Sequence, residues 1–139
     1  MIFVDTSFLF PLFSERDPDH GRVRAALDVY RGQRARDLFL TTNHVVAETI
    51  TLIRTTPPRS HGAAVRAGER LYDERFARVY WAPAEDERAA FVYFKQYADK
   101  EYSFVDCLSF VVMEKLGIRE ALALDSDFTH RFTVPPALL

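Results

Sequence analysis

The chain has 139 residues, 48% of them hydrophobic, which suits one domain over residues 1–139 with one core and excludes disorder. Its formal net charge of −2 provides no long-range basic field for nucleic acid, although a local patch fits inside a balanced total. A lone cysteine, Cys107, rules out an internal disulfide and a cysteine-based zinc site and fits a reducing, cytoplasmic compartment.

No apolar run reaches about 18 residues, so no membrane span is expected. The N-terminus has no basic region before its apolar run, unlike a signal peptide. Met1-Ile2-Phe3-Val4 reads as a strand buried on both faces, because it is β-branched and aromatic and does not alternate. It ends at Asp5, followed by Thr6 and Ser7, either of which can cap a helix. Phe8 to Phe13 predicts a short buried helix, with Pro11 tolerated in its first turns. Asp17-Pro18-Asp19 breaks the chain and caps a helix from His20 to about Gln33, where Val23, Ala26, Leu27 and Tyr30 recur at helical spacing. Leu38 to Thr42 predicts a second buried strand.

Asn43 is expected to cap a helix over 44–55, which Pro57-Pro58 ends. Ser60 to Glu74 predicts another, with Ala64, Ala67, Leu71 and Val65 inward. Phe76 to Trp81 predicts a third strand, and Pro83 starts a helix running through Phe91, Phe94 and Tyr97. Ser103 opens a helix to Leu116, which Gly117 ends at C′. Ala121 to Leu124 predicts a fourth strand ending at Asp125, and Phe132-Thr133-Val134 a short last one. Strands alternating with helices imply a mostly parallel sheet of four to five strands, covered on both faces.

Several acids sit where burial makes them costly. Val45, Glu48 and Leu52 share one helix face, so Glu48 stands on or beside an apolar stripe. It either snorkels to water from the stripe's edge or turns inward as a ligand. Asp106 lies in the first turn of a helix that is apolar nearly all round. A capping box with Ser103 accounts for it locally, and one oxygen can serve the cap while the other serves a ligand. Asp125 and Asp127 fit an Asx turn after the fourth strand. Taken together these local accounts weaken. Two acids follow two parallel strands, and two more sit on helices able to dock near those strand ends. Such carboxylates repel unless a cation neutralises them, and oxygen-only ligands suit Mg²⁺ or Mn²⁺ rather than zinc.

Four landmarks recur in order: Val4-Asp5-Thr6-Ser7, Ala47-Glu48, Ser103-Phe104-Val105-Asp106-Cys107, and Leu124-Asp125-Ser126-Asp127-Phe128. With these, nearly the whole chain resembles the PIN domains, and among them the VapC-type toxins of toxin–antitoxin pairs. The resemblance implies a three-layer α/β/α sandwich and a metal-dependent endoribonuclease that cuts structured RNA, tRNA or rRNA. The cut comes from attack of a metal-activated water on a phosphodiester. Asp5, Glu48 and Asp106 match the family's three best-defined acids, Asp125 matches the fourth, and Asp127 assists or stands in for it. Thr6 or Ser7 matches the hydroxyl beside the first acid, and Ser103 the one before the third. The implied cofactor is Mg²⁺ (or Mn²⁺). The implied partners are the RNA substrate, a small cognate antitoxin that lays a peptide in the active-site groove, and a second copy in a homodimer. Thr41-Thr42 ahead of the Glu48 helix, with the Asp106 region, resembles the subgroup that attacks ribosomal RNA.

Other readings are weaker on the residues. A haloacid-dehalogenase-type phosphohydrolase needs an acid two residues after Asp5, where Ser7 stands. A catalytically silent PIN-fold scaffold for RNA or protein is the alternative, but every acid position is filled. His44 and Glu48 have metal-ligand spacing without the second histidine of a zinc protease. Cys107, inside an apolar helix, reads as a small core residue. Arg54, Arg59 and His61 around the Pro57-Pro58 turn are candidates to hold an RNA backbone, or form an ordinary solvated loop. Tyr97 and Tyr102 are candidates to stack on bases, with core packing the better account of Tyr97.

Overall fold

A computed structural model describes residues 1–139. Its centre is a four-stranded sheet, all parallel, of β1 (Ile2–Val4), β2 (Phe39–Thr42), β3 (Arg78–Tyr80) and β4 (Glu120–Leu122). The order across the sheet is β3-β2-β1-β4. Phe3 is paired with Leu40 on one side and Ala121 on the other, so β1 is central and all three of its residues are buried. The chain winds outward from β1 to β3, then crosses back to place β4 on the far side of β1. The crevice beyond the carboxyl ends of β1 and β4 is therefore the topological switch point, where open parallel sheets bind ligands.

Eight helices surround the sheet: α1 (Thr6–Leu12), α2 (His20–Asp28), α3 (Ala35–Leu38), α4 (Asn43–Thr55), α5 (His61–Tyr72), α6 (Ala84–Gln96), α7 (Phe104–Leu116) and α8 (Ser126–Thr129). Helix α4 packs on α1 and α5, and α6 packs on α7. With strand order β3-β2-β1-β4, the right-handed crossover rule for parallel strands puts the first group on one face and the second on the other, the three-layer sandwich expected from sequence. Twenty-seven buried residues form the main core cluster, among them Phe3, Phe8, Phe39, Phe110 and Phe128. No helix is long and apolar enough to cross a membrane.

Several expectations change in detail. Pro11 falls past the first turn of α1, and the helix stops one residue later. Helix α2 ends at Asp28 rather than near Gln33, because Val29 faces water and the chain turns through Gly32 at φ 89°. The short α3 precedes β2 and was not expected. The cap of α4 is Thr42, whose hydroxyl accepts from Val45 N–H, whereas Asn43 Oδ1 accepts from Ala82 N–H and fastens the end of β3. Val65 is 43% exposed, not inward, while Ala64, Ala67 and Leu71 are buried as expected. Phe91 and Phe94 stand exposed on α6. Phe132-Thr133-Val134 adds no strand, and only Thr133 bridges to Glu120.

The second layer is locked by one buried acid that the sequence pattern did not single out. Asp86 of α6 accepts from the Tyr80 hydroxyl at 2.6 Å and from Lys115 Nζ of α7 at 2.9 Å. Burial raises its carboxyl, but the two donors and the ammonium charge outweigh that and hold it below the ordinary 3.8. A group lowered in this way stabilises the fold above the unfolded pKa and loses that contribution as pH falls through the folded one. Asp86→Asn is expected to lower stability by about 2 kcal/mol at pH 7. Denaturant unfolding should show the gap between the two proteins closing below about pH 4.

Candidate metal centre

The centre is built on the end of β1. Asp5 follows Val4 with extended backbone, φ −92° and ψ 162°, and is itself the N-cap of α1, a role expected of Thr6 or Ser7. Its Oδ2 accepts from Ser7 N–H at 3.0 Å and from the Ser7 hydroxyl at 2.7 Å. The same hydroxyl oxygen accepts from Leu124 N–H at 3.0 Å and Asp125 N–H at 3.2 Å. Ser7 thus ties the two strand ends together. Thr6 is buried with its hydroxyl unpartnered, so of that pair only the Ser7 hydroxyl bonds Asp5.

Asp5 is 3% exposed, and its second oxygen, Oδ1, is buried with no hydrogen-bond partner. An unpaired buried carboxylate oxygen is expensive. Burial, with repulsion from Asp106 and Glu48, pushes its carboxyl up to about 7 despite the Ser7 hydrogen bonds.

Asp106 opens α7 in the expected capping box. Ser103 Oγ accepts from Asp106 N–H, and Asp106 Oδ2 accepts from Ser103 N–H, both at 3.0 Å. Burial raises its carboxyl to about 6, with Asp125 and Glu48 adding repulsion and Ser103 opposing. Asp125 caps α8, and its Oδ1 accepts from Asp127 N–H at 2.9 Å, so the expected Asx turn is present. That turn is held down by Phe128, which packs on Phe3 of β1 and Phe110 of α7 with ring centroids 6.3 and 5.1 Å apart. Asp106, Asp125 and Asp127 thereby bring one carboxylate oxygen each within 4.8 Å of one another. Burial and the neighbouring Asp125 raise Asp127 as well.

Glu48 and Asp5 stand outside that group but close enough to Asp106 to act on its charge. Glu48 is half-buried. The stripe it was expected to share rotates out of the core, from buried Val45 to Leu52 at 36% exposure. A groove of about 430 Å³ opens beside it, between His44, Thr51 and Val105. His44 Nε2 lies 2.7 Å from Glu87, a pairing the sequence did not signal, which accounts for His44 without a ligand role. Cys107 is buried in the core as expected. Tyr102 is half-buried edge-on to Phe110 at 5.2 Å, and Tyr97 packs 4.5 Å from Tyr93, so both rings are engaged within the protein. Arg131 was also missed. Its guanidinium lies over Tyr93 and Phe110 and pairs with Glu114 at 2.8 Å, pinning the end of the Asp125–Asp127 turn to α7.

The residues fit a hard divalent cation. Every available donor is oxygen, one buried oxygen of Asp5 has no other partner, and the carboxylates resist simultaneous ionisation.

These features, a parallel 3-2-1-4 sheet with acids gathered at its switch point, coincide with a match of the PIN domain model to residues 2–131. The chain belongs to the PIN-domain family. It is 38% identical over 129 residues to the 23S rRNA-specific endonuclease VapC20 of Mycobacterium tuberculosis, covering 93% of this chain and 92% of that protein. It is 29% identical over 128 residues to a VapC ribonuclease of Archaeoglobus fulgidus, covering 91% and 78%. The crystal structure of M. tuberculosis VapC20, a sarcin–ricin loop cleaving toxin, superposes with a TM-score of 0.80 at 36% identity over 94% of each chain. The resemblance to VapC-type toxin ribonucleases read from the sequence is borne out.

Raised carboxyl groups penalise the fold as pH climbs from about 4 to 7, where the unfolded chain ionises freely and the folded one does so at a cost. Asp106→Asn, which can still accept from Ser103 N–H, is expected to raise metal-free stability by about 1–2 kcal/mol at pH 8 and by little at pH 4. Mg²⁺ or Mn²⁺ should raise the Tm of the natural protein and not that of the variant. Thermal unfolding with and without each ion checks both outcomes.

Proposed function

We propose that this protein is the toxin ribonuclease of a VapBC-type pair, a cytoplasmic enzyme that cuts structured ribosomal RNA at the sarcin–ricin loop. Mg²⁺ or Mn²⁺ would be held by Asp5, Glu48, Asp106 and Asp125, with Asp127 assisting. One observation carries this reading. Three carboxylates crowd within 4.8 Å of one another, beside a buried Asp5 whose free oxygen has no partner. The choice of RNA is supported by the 38% identity to a 23S rRNA-specific endonuclease and by the Thr41-Thr42 start of the Glu48 helix.

When bound, such a cation supplies hydroxide at neutral pH and neutralises charge developing on the phosphate oxygens. The chain's own residues prepare the place. Ser7 holds one Asp5 oxygen and leaves the other free. The Ser103 capping box fixes the rotamer of Asp106. Phe128 anchors the turn that carries Asp125 and Asp127. Because water rather than a ribose hydroxyl is the nucleophile, the products carry 5′-phosphate and 3′-hydroxyl ends. A small antitoxin protein is the proposed inhibitor, its peptide reaching the groove beside Glu48. In the proposed homodimer, the exposed Phe91, Val92 and Phe94 of α6 are the surface a second subunit would cover.

Purified protein should cut total RNA at a discrete site, and cut a sarcin–ricin stem–loop oligonucleotide, with Mg²⁺ or Mn²⁺ but not with EDTA. Asp5→Asn should lower the rate at least about 100-fold with the fold intact. Cleavage that survives both EDTA and Asp5→Asn would overturn the assignment.

A further inference from the structure

A second cavity lies away from the acids. It has a volume of about 820 Å³ and sits where the C-terminal ends of α1 and α4 meet α5, under the Pro57-Pro58 turn. Both helices lead to it from the metal centre. Asp5 caps the first turn of α1, and Leu12 and Phe13 at the other end line the cavity. Glu48 lies mid-way along α4, and Ile53 and Thr56 line the cavity. Phe10 and Ile53 each stand five residues from Asp5 and Glu48, so at 1.5 Å rise per residue the cavity begins about 8 Å from the acids along either helix.

Five arginines line it: Arg16, Arg24, Arg66, Arg70 and Arg75. They outnumber its acids, Glu15, Asp17 and Glu69, so the lining is positive in a chain whose formal net charge is −2. Four of the five, Arg16, Arg24, Arg66 and Arg70, have no carboxylate within 4.0 Å, and Arg75 reaches Asp73 only at 3.5 Å. Of the arginines elsewhere, some are paired, as with Arg31 to Asp28, Arg36 to Glu74 and Arg131 to Glu114, and others, such as Arg88 and Arg119, have no carboxylate that near but do not line this cavity. Unpaired arginines gathered round a cleft are poised for anions. The guanidinium fork matches phosphate oxygens two at a time.

We propose that this cavity is a second RNA site, which grips backbone phosphates flanking the cut. The inference rests on the nuclease reading above. A centre of crowded acids repels an RNA backbone, so a structured substrate needs positive charge beside it. The cavity supplies that charge within the reach of one RNA stem. Arg66 and Arg70 stand one turn apart on α5, and Arg16 and Arg24 come from the loop before α2 and from α2 itself. Charge spread over separate elements suits a run of phosphates better than a single carboxylate. Arg54, Arg59 and His61 face solvent around the turn and do not line the cavity.

The test measures RNA binding and cleavage together. Arg66→Gln/Arg70→Gln and, separately, Arg16→Gln/Arg24→Gln are made in the natural protein and in Asp106→Asn, which serves as the uncut binding form. The probe is a sarcin–ricin stem–loop with extended flanking stem. Each pair is expected to weaken stem–loop binding about tenfold and to reduce the slope of log affinity against log salt by about 1.5. In cleavage the loss should appear in KM rather than kcat. Stem–loop affinity and salt slope left unchanged by both pairs would overturn the cavity assignment alone. An Asp106→Asn protein with no affinity for any RNA would instead overturn the nuclease reading. If an acidic antitoxin peptide loses its hold while RNA binding stays, the cavity belongs to that peptide and the proposal is wrong.

Discussion

The structure depends on a carboxylate placed at the carboxyl edge of a buried parallel sheet with one oxygen left unpaired. Asp5 cannot move to water, because β1 is the central strand and Phe3 is hydrogen-bonded into neighbours on both sides. Its Oδ2 is consumed by Ser7, and the Ser7 oxygen in turn gathers the backbone N–H groups that follow β4. Asp106 and Glu48, brought from two other parts of the chain, add their charge to the stress at Asp5. An arrangement of this kind is unstable by itself and is relieved by positive charge. Function and instability have the same origin here.

The scaffold around the acids offsets that cost with ordinary packing. Phe128 sits between Phe3 and Phe110 and fixes the turn of Asp125 and Asp127. Arg131 lies over Tyr93 and Phe110 and closes the same turn against α7. On the other side of α7, Asp86, Tyr80 and Lys115 lock it to α6 and β3. Helix α7 is therefore held at both ends, with Asp106 in its first turn and Lys115 in its last. The two remaining helices of the site, α1 and α4, run from negative charge at the centre to the arginine-lined cavity at their far ends. That polarity suits a substrate that is itself a chain of negative charges reaching across both regions.

Much of this was legible in the chain. Runs such as Ile2-Phe3-Val4 and Phe39-Leu40 have nowhere to go but a sheet covered on both faces, and Ser103 with Asp106 writes a capping box in four residues. Local rules failed where a partner lay far along the chain. Asn43 looked like a cap, but Thr42 took the role and Asn43 reached Ala82 instead. Phe91, Phe94 and Tyr97 follow one another at helical spacing, yet α6 buries Ala90 and turns Phe91 and Phe94 outward. The expected fifth strand is a single bridge, between Thr133 and Glu120.

The sequence by itself determined the parallel α/β sandwich, the order of its elements and the identity of the acids, since these depend on apolar runs, caps and motifs local in the chain. Only the tertiary structure decided which acids share a site and at what cost. It showed that Asp106, Asp125 and Asp127 converge, that Ser7 and not Thr6 holds Asp5, and that one Asp5 oxygen is left without a partner. It also decided which arginines face one cavity. Charge interactions fall off with distance through space, and sequence separation does not measure that distance.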